Sequence, residues 1–251
     1  MTEHDPHAEP SLDRQVTELL RTIEGEIPEP NVILPRGPLD REERTIKEIL
    51  VRMGSLIEER IRLTVEALET HDAEKALVVI RGDEEINALQ VRATDHVILA
   101  IATQAPVARD LRFLMALDRV GSELERIGDS VANVAKRARE LAPNAPLEGH
   151  VGVPQMGRLA ALFLADTLRA LVDADADAAR QVATRDDEID VFYHRAVDRL
   201  TELAKADPEN VERAMLLLIA ARYMERVGDH ITNIAEDVVF LSSGQHEDLN
   251  P

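Results

Sequence analysis

Carboxylates four residues apart on a helix share a face, and this chain sets such a pair down twice. Glu125 and Asp129 recur as Glu225 and Asp229, each pair followed four residues later by an asparagine, Asn133 or Asn233. Like charges at that spacing repel by about a few tenths of a kcal/mol, so a doubled row calls for something that compensates it. An all-oxygen row suits a hard cation such as Mg²⁺, Mn²⁺, Ca²⁺ or iron, with zinc also open. The competing explanation is a solvated acidic face, which an acidic protein presents often. Other chemistries lack their residues: there is no Gly-x-Ser-x-Gly, no glycine-rich phosphate loop, no cysteine and no Glu-x-x-His pair. Asp190 with His194 has ligand-capable spacing, and His230 adjoins the second row, but a lone helical histidine is more often solvated than ligating.

The rows belong to a longer repeat. Glu125-Arg126-Ile127-Gly128-Asp129-Ser130-Val131-Ala132-Asn133-Val134-Ala135 returns one hundred residues on as Glu225-Arg226-Val227-Gly228-Asp229-His230-Ile231-Thr232-Asn233-Ile234-Ala235. A gap-free repeat of this length makes the chain two copies of one unit. Each copy reads as a helix with an apolar stripe: Leu124, Ile127, Val131, Val134 and Ala138 in the first, Met224, Val227, Ile231, Ile234 and Val238 in the second. Beside the stripe runs a row of small residues, Gly121, Gly128, Ala132 and Ala135, matched by Ala221, Gly228, Thr232 and Ala235. A mid-helix glycine costs about 1 kcal/mol against alanine, so these positions predict a neighbour that comes very close. Arg126 and Arg226 read as ion-pair partners or as aliphatic cover.

Composition sets the frame around the repeat. Hydrophobic residues make up 45% of 251 yet aromatics only 2%, which suits packed helices better than a sandwich or barrel. A formal charge of −19 argues against a nucleic-acid partner and for cations or basic surfaces. No apolar run reaches the roughly 18 residues of a membrane span, which argues against direct insertion. The start lacks the basic and apolar regions of a signal peptide, so a cytoplasmic location is expected.

Read in order, the chain is helix after helix. Residues 1–38, with six prolines, form an extension expected to be flexible apart from a short helix over Leu12 to Ile23. The first unit, 39–142, holds a helix from Leu39 to about Thr70 with Ile46, Ile49, Leu50, Met53, Ile57, Ile61, Val65 and Leu68 in its apolar stripe. A second is capped by Asp72 and lasts to about Thr103, and a third is opened by Pro106 and ends near Leu141. A Pro- and Gly-rich linker spans 143–154. The second unit, 155–243, repeats the pattern: a helix to about Val172, a fifth from Asp175 to Asp207, and a sixth closed by Gly244. Residues 244–251 are expected to fray. The predicted fold is all-α, two tandem pseudo-symmetric three-helix bundles made of six long helices.

Hairpin geometry sharpens the cation reading. If the second and third helices fold back near residue 105, Asp83 and Asn87 come level with Glu125 and Asp129. A turn near 207 likewise sets Asp186 and Asp190 level with Glu225 and Asp229. The second cluster then has four carboxylates, the first three and an amide.

The doubled motif, with Ala221 to Leu241 and the segment Gln104-Ala105-Pro106-Val107-Ala108-Arg109-Asp110-Leu111-Arg112-Phe113, resembles the PhoU family of bacterial phosphate-uptake regulators over about residues 39–243. The resemblance implies a cytoplasmic, non-enzymatic helical protein, often a homodimer. It implies a protein that holds down the phosphate-starvation response and acts between the phosphate transporter's ATPase subunit and a sensor histidine kinase. It also implies metal binding through Glu/Asp-x-x-x-Asp motifs, here Glu125 with Asp129 and Glu225 with Asp229, joined by Asp83, Asp186 and Asp190. Asn87 departs from that pattern, as does the long extension. A helical metal-storage protein or metal-dependent enzyme, or a purely structural scaffold, are the alternatives.

Overall fold

A computed structural model describes residues 37–147 and 150–249; the expected extension lies almost wholly outside them. Among the described residues there are seven α-helices and no strand. These are α1 (Gly37–Thr70), α2 (Ala73–Gln104), α3 (Ala108–Leu141), α4 (Val153–Asp173), α5 (Ala176–Ala183), α6 (Asp186–Ala206) and α7 (Val211–Ser243), with a 3₁₀ turn at Pro208–Asn210.

Most ends are set by the chemistry of the local residues. Asp72 and Asp175 each accept from the two amides at the start of the following helix, satisfying donors that a helix start otherwise leaves unpaired. Gly244 closes α7 in the left-handed conformation, φ 73°, donating to the Phe240 carbonyl. Pro106 does not open α3 as the sequence suggests. Ala105 takes the left-handed cap of α2 and Val107 is extended, so α3 begins only at Ala108. The linker is shorter than expected at its far end, because Pro154 sits in the first turn of α4.

The predicted fifth helix is broken into α5 and α6 at Thr184–Arg185. The equivalent stretch of the first repeat, Arg81-Gly82, runs unbroken through α2. The two repeats exchange a residue here. In the first, Arg60 of α1 lies over Gly82, where a Cβ would stand 2.8 Å from Nε, and its guanidinium meets Glu85 at 3.4 Å. In the second, Phe163 replaces that arginine and Arg185 replaces the glycine. The Arg185 guanidinium stacks over the Phe163 ring at 4.4 Å and meets Glu188, the counterpart of Glu85, at 3.3 Å. Each repeat thus places a cation at the same spot, from opposite helices.

The two repeats wrap about one continuous core. Every residue of the predicted stripes on α1, α3 and α7 is buried, Ile46 to Leu68, Leu124 to Ala138 and Met224 to Val238 alike. Gly54 of α1 faces Leu168 of α4, and Gly157 of α4 faces Val65 of α1. Counting equivalent positions, these are one contact seen from the two repeats, as a pseudo-twofold axis requires. α3 and α7 pair likewise. Arg119 meets Asp237 and Glu123, one turn on, meets Asn233, one turn back, so the helices are antiparallel. That register sets Gly128 level with Gly228. The expected pseudo-symmetry of the motif helices is a twofold, and the units share a core instead of standing apart on a linker.

Past Gly244 the chain returns to the body instead of fraying. Glu247 takes a forked pair of hydrogen bonds from Arg180 at 2.9 and 2.7 Å, His246 stacks on Phe240, and the Leu249 amide donates to Glu236.

Candidate cation sites on the paired hairpins

α2 and α3 form one hairpin, α6 and α7 the other, and each brings its acidic rows together. In the first hairpin Asp83 comes within hydrogen-bond reach of Asp129, and Glu125 faces both. In the second, Asp186 faces Asp190, Asp229 and Glu225. All seven predicted carboxylates lie in these two groups. Asn87 occupies the predicted position as well, its Oδ1 buried and without a hydrogen-bond partner.

The glycines in the small-residue rows are what let the hairpins close this far. A Cβ on Gly228 would stand 2.5 Å from Asp186 Oδ1 and 3.2 Å from Ile189 Cδ1. On Gly128 it would meet Ile86 Cδ1 at 2.9 Å, with Asp83 Oδ1 at 3.6 Å. The same substitution is therefore expected to act differently in the two repeats. Gly128→Ala should be near neutral, because a methyl tip can turn aside and alanine favours the helix by about 1 kcal/mol. Gly228→Ala should destabilise by about 1–3 kcal/mol, because it drives a buried carboxylate out of its place. Urea denaturation of both variants checks this, and equal midpoints would count against the close approach.

Confinement raises the affinity of these carboxyls for protons. Burial first, then the charges of Asp190, Asp229, Glu225 and Asp187, push Asp186 up to about 7. Burial is also the main cause that lifts Asp83, Glu125, Glu225 and Asp229, with Asp129 the next cause for Asp83 and Glu125. Asp186 is 5% exposed, deeper than the row on α3, where Glu125 is half-buried and Asp129 exposed.

Donor chemistry and charge in both clusters fit a hard cation. Asp83 Oδ1, Asn87 Oδ1 and Glu225 Oε2 are buried oxygens with no partner, and a cation would relieve the charge that raises the carboxyl pKa values. The side chains stand apart as placed: among the described residues no three histidine, cysteine, aspartate or glutamate groups close around a common ion position. Binding would have to draw them inward.

Basic side chains edge both clusters. Arg222 ion-pairs with Glu225, and Arg60 and Lys136 lie close enough to Asp83 to favour its ionised form. Arg126 bonds Glu123 at 2.9 Å, and Arg226 covers the Tyr223 ring at 5.9 Å. His230 is buried, contrary to expectation. Its Nδ1 lies 2.7 Å from Glu123 Oε2, which also accepts from Asn233 at 3.0 Å, so it ties α7 to α3 and is no solvated residue. His194 joins neither cluster; its ring packs beside Tyr193. Glu123 is the residue that reading the repeat misses, since its counterpart is Tyr223.

A helical body with twofold pseudo-symmetry and an acidic cluster on each matching hairpin defines a protein built by internal duplication. The PhoU domain model matches the chain twice, over residues 50–138 and 153–238. A Clostridium acetobutylicum protein, a phosphate-specific transport system accessory protein PhoU homolog, is 34% identical over 202 residues, covering 80% of this chain and 92% of its own. An Aquifex aeolicus protein of the same description is 36% identical over 207 residues, 82% and 94% of the two chains. The crystal structure of PhoU from Pseudomonas aeruginosa superposes with a TM-score of 0.78 at 32% identity, covering 82% of this chain and 99% of that one. The phosphate transport system regulatory protein PhoU from Streptococcus pneumoniae does so with 0.78 at 30%, over 84% and 99%. The chain belongs to the PhoU family. Its relatives are named accessory and regulatory proteins, not enzymes.

Proposed function

We propose that this protein regulates phosphate transport as a non-enzymatic accessory protein, holding down uptake and the phosphate-starvation response when phosphate is plentiful. The observation that carries the proposal is the doubled PhoU domain, together with relatives that are named accessory proteins of the phosphate-specific transport system and are matched over more than nine-tenths of their length. We read it as an adaptor between the transporter's ATPase subunit and a sensor histidine kinase, working in the cytoplasm as a homodimer. No helix among the described residues is long and apolar enough to cross a membrane, so any membrane association would run through a partner.

In this reading the acidic clusters hold cations. Asp186, Asp190, Glu225 and Asp229 would take the ion of the second hairpin; Asp83, Asn87, Glu125 and Asp129 that of the first. A hard ion supplies positive charge that offsets the repulsion within each cluster. The protein's contribution is to hold α2 against α3 and α6 against α7 across glycines, so that carboxylates from two helices face one space. Arg222 opposes the burial and the Asp229 charge that raise the Glu225 pKa, favouring the ionised form that could act as a donor.

Co-purification tests the adaptor role. The tagged full chain should retain the transporter ATPase and the sensor kinase from cells grown in high phosphate, and lose them when α6–α7 variants of the acidic cluster are used. Failure to retain either partner at any phosphate level would defeat it.

A further inference from the structure

A histidine pair lies at a corner of the fold that the acidic clusters do not use. His71 follows α1 at φ 54°, and His150 sits where the inter-repeat connection meets α4. Their Nε2 atoms stand 3.2 Å apart, with ring centroids at 5.0 Å and planes tilted by 43°. His150 is 3% exposed. It begins a run of three left-handed residues, φ 62°, 47° and 83° at His150, Val151 and Gly152. A β-branched residue in that region is uncommon and costs about 1–2 kcal/mol, so the placement of the ring is held against local preference.

The ring geometry points beyond a simple imidazole–imidazole hydrogen bond. Imidazole nitrogens bound to one tetrahedral ion lie about 2.0–2.1 Å from it, which puts them roughly 3.3 Å from each other. A straight N–H···N bond of the same length would hold the centroids further apart than the 5.0 Å at which they stand, so the two rings are bent out of line with each other. Glu69, on the last turn of α1 beside this corner, ion-pairs with Arg158.

We propose that His71 and His150 form a two-histidine site for a borderline divalent transition ion of the zinc, nickel and copper class, with water completing the shell. Imidazole suits these ions, whereas the acidic clusters suit hard ones. The site joins the α1–α2 turn of the first repeat to the connection leading into the second, so an ion there staples the strained segment in place. This inference is independent of the proposed adaptor role and of the acidic clusters.

Metal-stripped full-length protein, dialysed against Zn²⁺ in the presence of excess Mg²⁺, tests it. The wild type should bind one more equivalent of zinc than His71→Asn, a substitution that tolerates the left-handed backbone, and zinc should raise the melting temperature of the wild type only. His150→Gln should behave likewise, with zinc affinity at least tenfold weaker. If His150→Gln does not fold, His71→Asn alone decides the matter. Equal zinc stoichiometry and affinity in wild type and His71→Asn would overturn the site and leave a hydrogen-bonded pair. Loss of zinc binding in Asp229→Asn with none in His71→Asn would assign the zinc to the acidic cluster and overturn it equally.

Discussion

Asp186→Asn is expected to stabilise the protein at pH 8, in the absence of divalent cations, by about 2–4 kcal/mol. The carboxyl is buried among those of Asp190, Asp229, Glu225 and Asp187, and its pKa stands near 7 where an unconfined aspartate titrates near 3.8. Because the folded state holds the proton more tightly than the unfolded one, folding loses stability as pH rises from about 4 to 7. The full penalty is present above 7. Every tenfold gain in proton affinity on folding corresponds to about 1.4 kcal/mol, and relaxation of the neighbouring side chains brings the effect below what that factor alone implies. Near pH 4 wild type and variant should unfold at the same urea concentration. At pH 8 the variant should unfold later, and a saturating divalent cation should narrow or reverse that order. Equal midpoints at pH 8 without cation would mean that Asp186 is solvated and that the cluster carries no strain.

Arg119→Ala is expected to destabilise by about 2–4 kcal/mol through the helix pair that joins the repeats. Arg119 donates to Asp237 at 2.7 Å, and the Asp237 side chain is only 10% exposed, so truncation leaves a buried carboxylate without its cation. Breaking one side of such a pair costs about 3–5 kcal/mol when both members are buried, and less here because Arg119 is part exposed. The arginine also lies over the Phe240 ring at 5.1 Å. Burial already raises the Asp237 pKa, with Arg119 opposing it. Removing the arginine raises it further, so the deficit should grow as pH rises above the usual carboxylate range and shrink in acid. Asp237→Asn, which removes the charge, should recover much of the loss when combined with Arg119→Ala. A double variant no more stable than Arg119→Ala would show that the cost lies in lost packing.

Periodicity carried the helical part of the fold. The α1 stripe from Ile46 to Leu68 and both motif stripes name residues that are in fact buried, because a 3.6-residue repeat of aliphatic side chains has few other ways to leave water. The glycines could be read as close-approach positions, since a mid-helix glycine is unfavourable without a reason, and hairpin depth was enough to bring α2 and α6 to the acidic rows. Three things stayed hidden. The break at Thr184–Arg185, where Arg185 packs over Phe163, has no local sign in the sequence. The cross-repeat pairs of Arg119 with Asp237 and Glu123 with His230 have no counterparts in the other repeat, so the repetition that reveals the motif cannot reveal them. The depth of Asp186 is set by the approach of α7 at Gly228, which the periodicity of α6 alone does not describe. Arg222, three residues before Glu225, was legible as a helical ion pair and simply lies outside the repeated stretch.

The acidic clusters are tested most directly by calorimetric titration of metal-stripped protein with Mn²⁺, comparing wild type, Asp129→Asn and Asp229→Asn. Four carboxylates bring one more negative charge than three and an amide, and hard divalent ions are ranked largely by that sum. The wild type should therefore show two classes of site, with Asp229→Asn losing the tighter and Asp129→Asn the weaker. Binding to the folded state alone should add about 2.7 kcal/mol of stability at a hundredfold excess of Mn²⁺ over the dissociation constant. A titration without heat, with melting temperatures unchanged by Mn²⁺ in all three proteins, would contradict the account and leave both rows as an acidic surface held together by the helices around it.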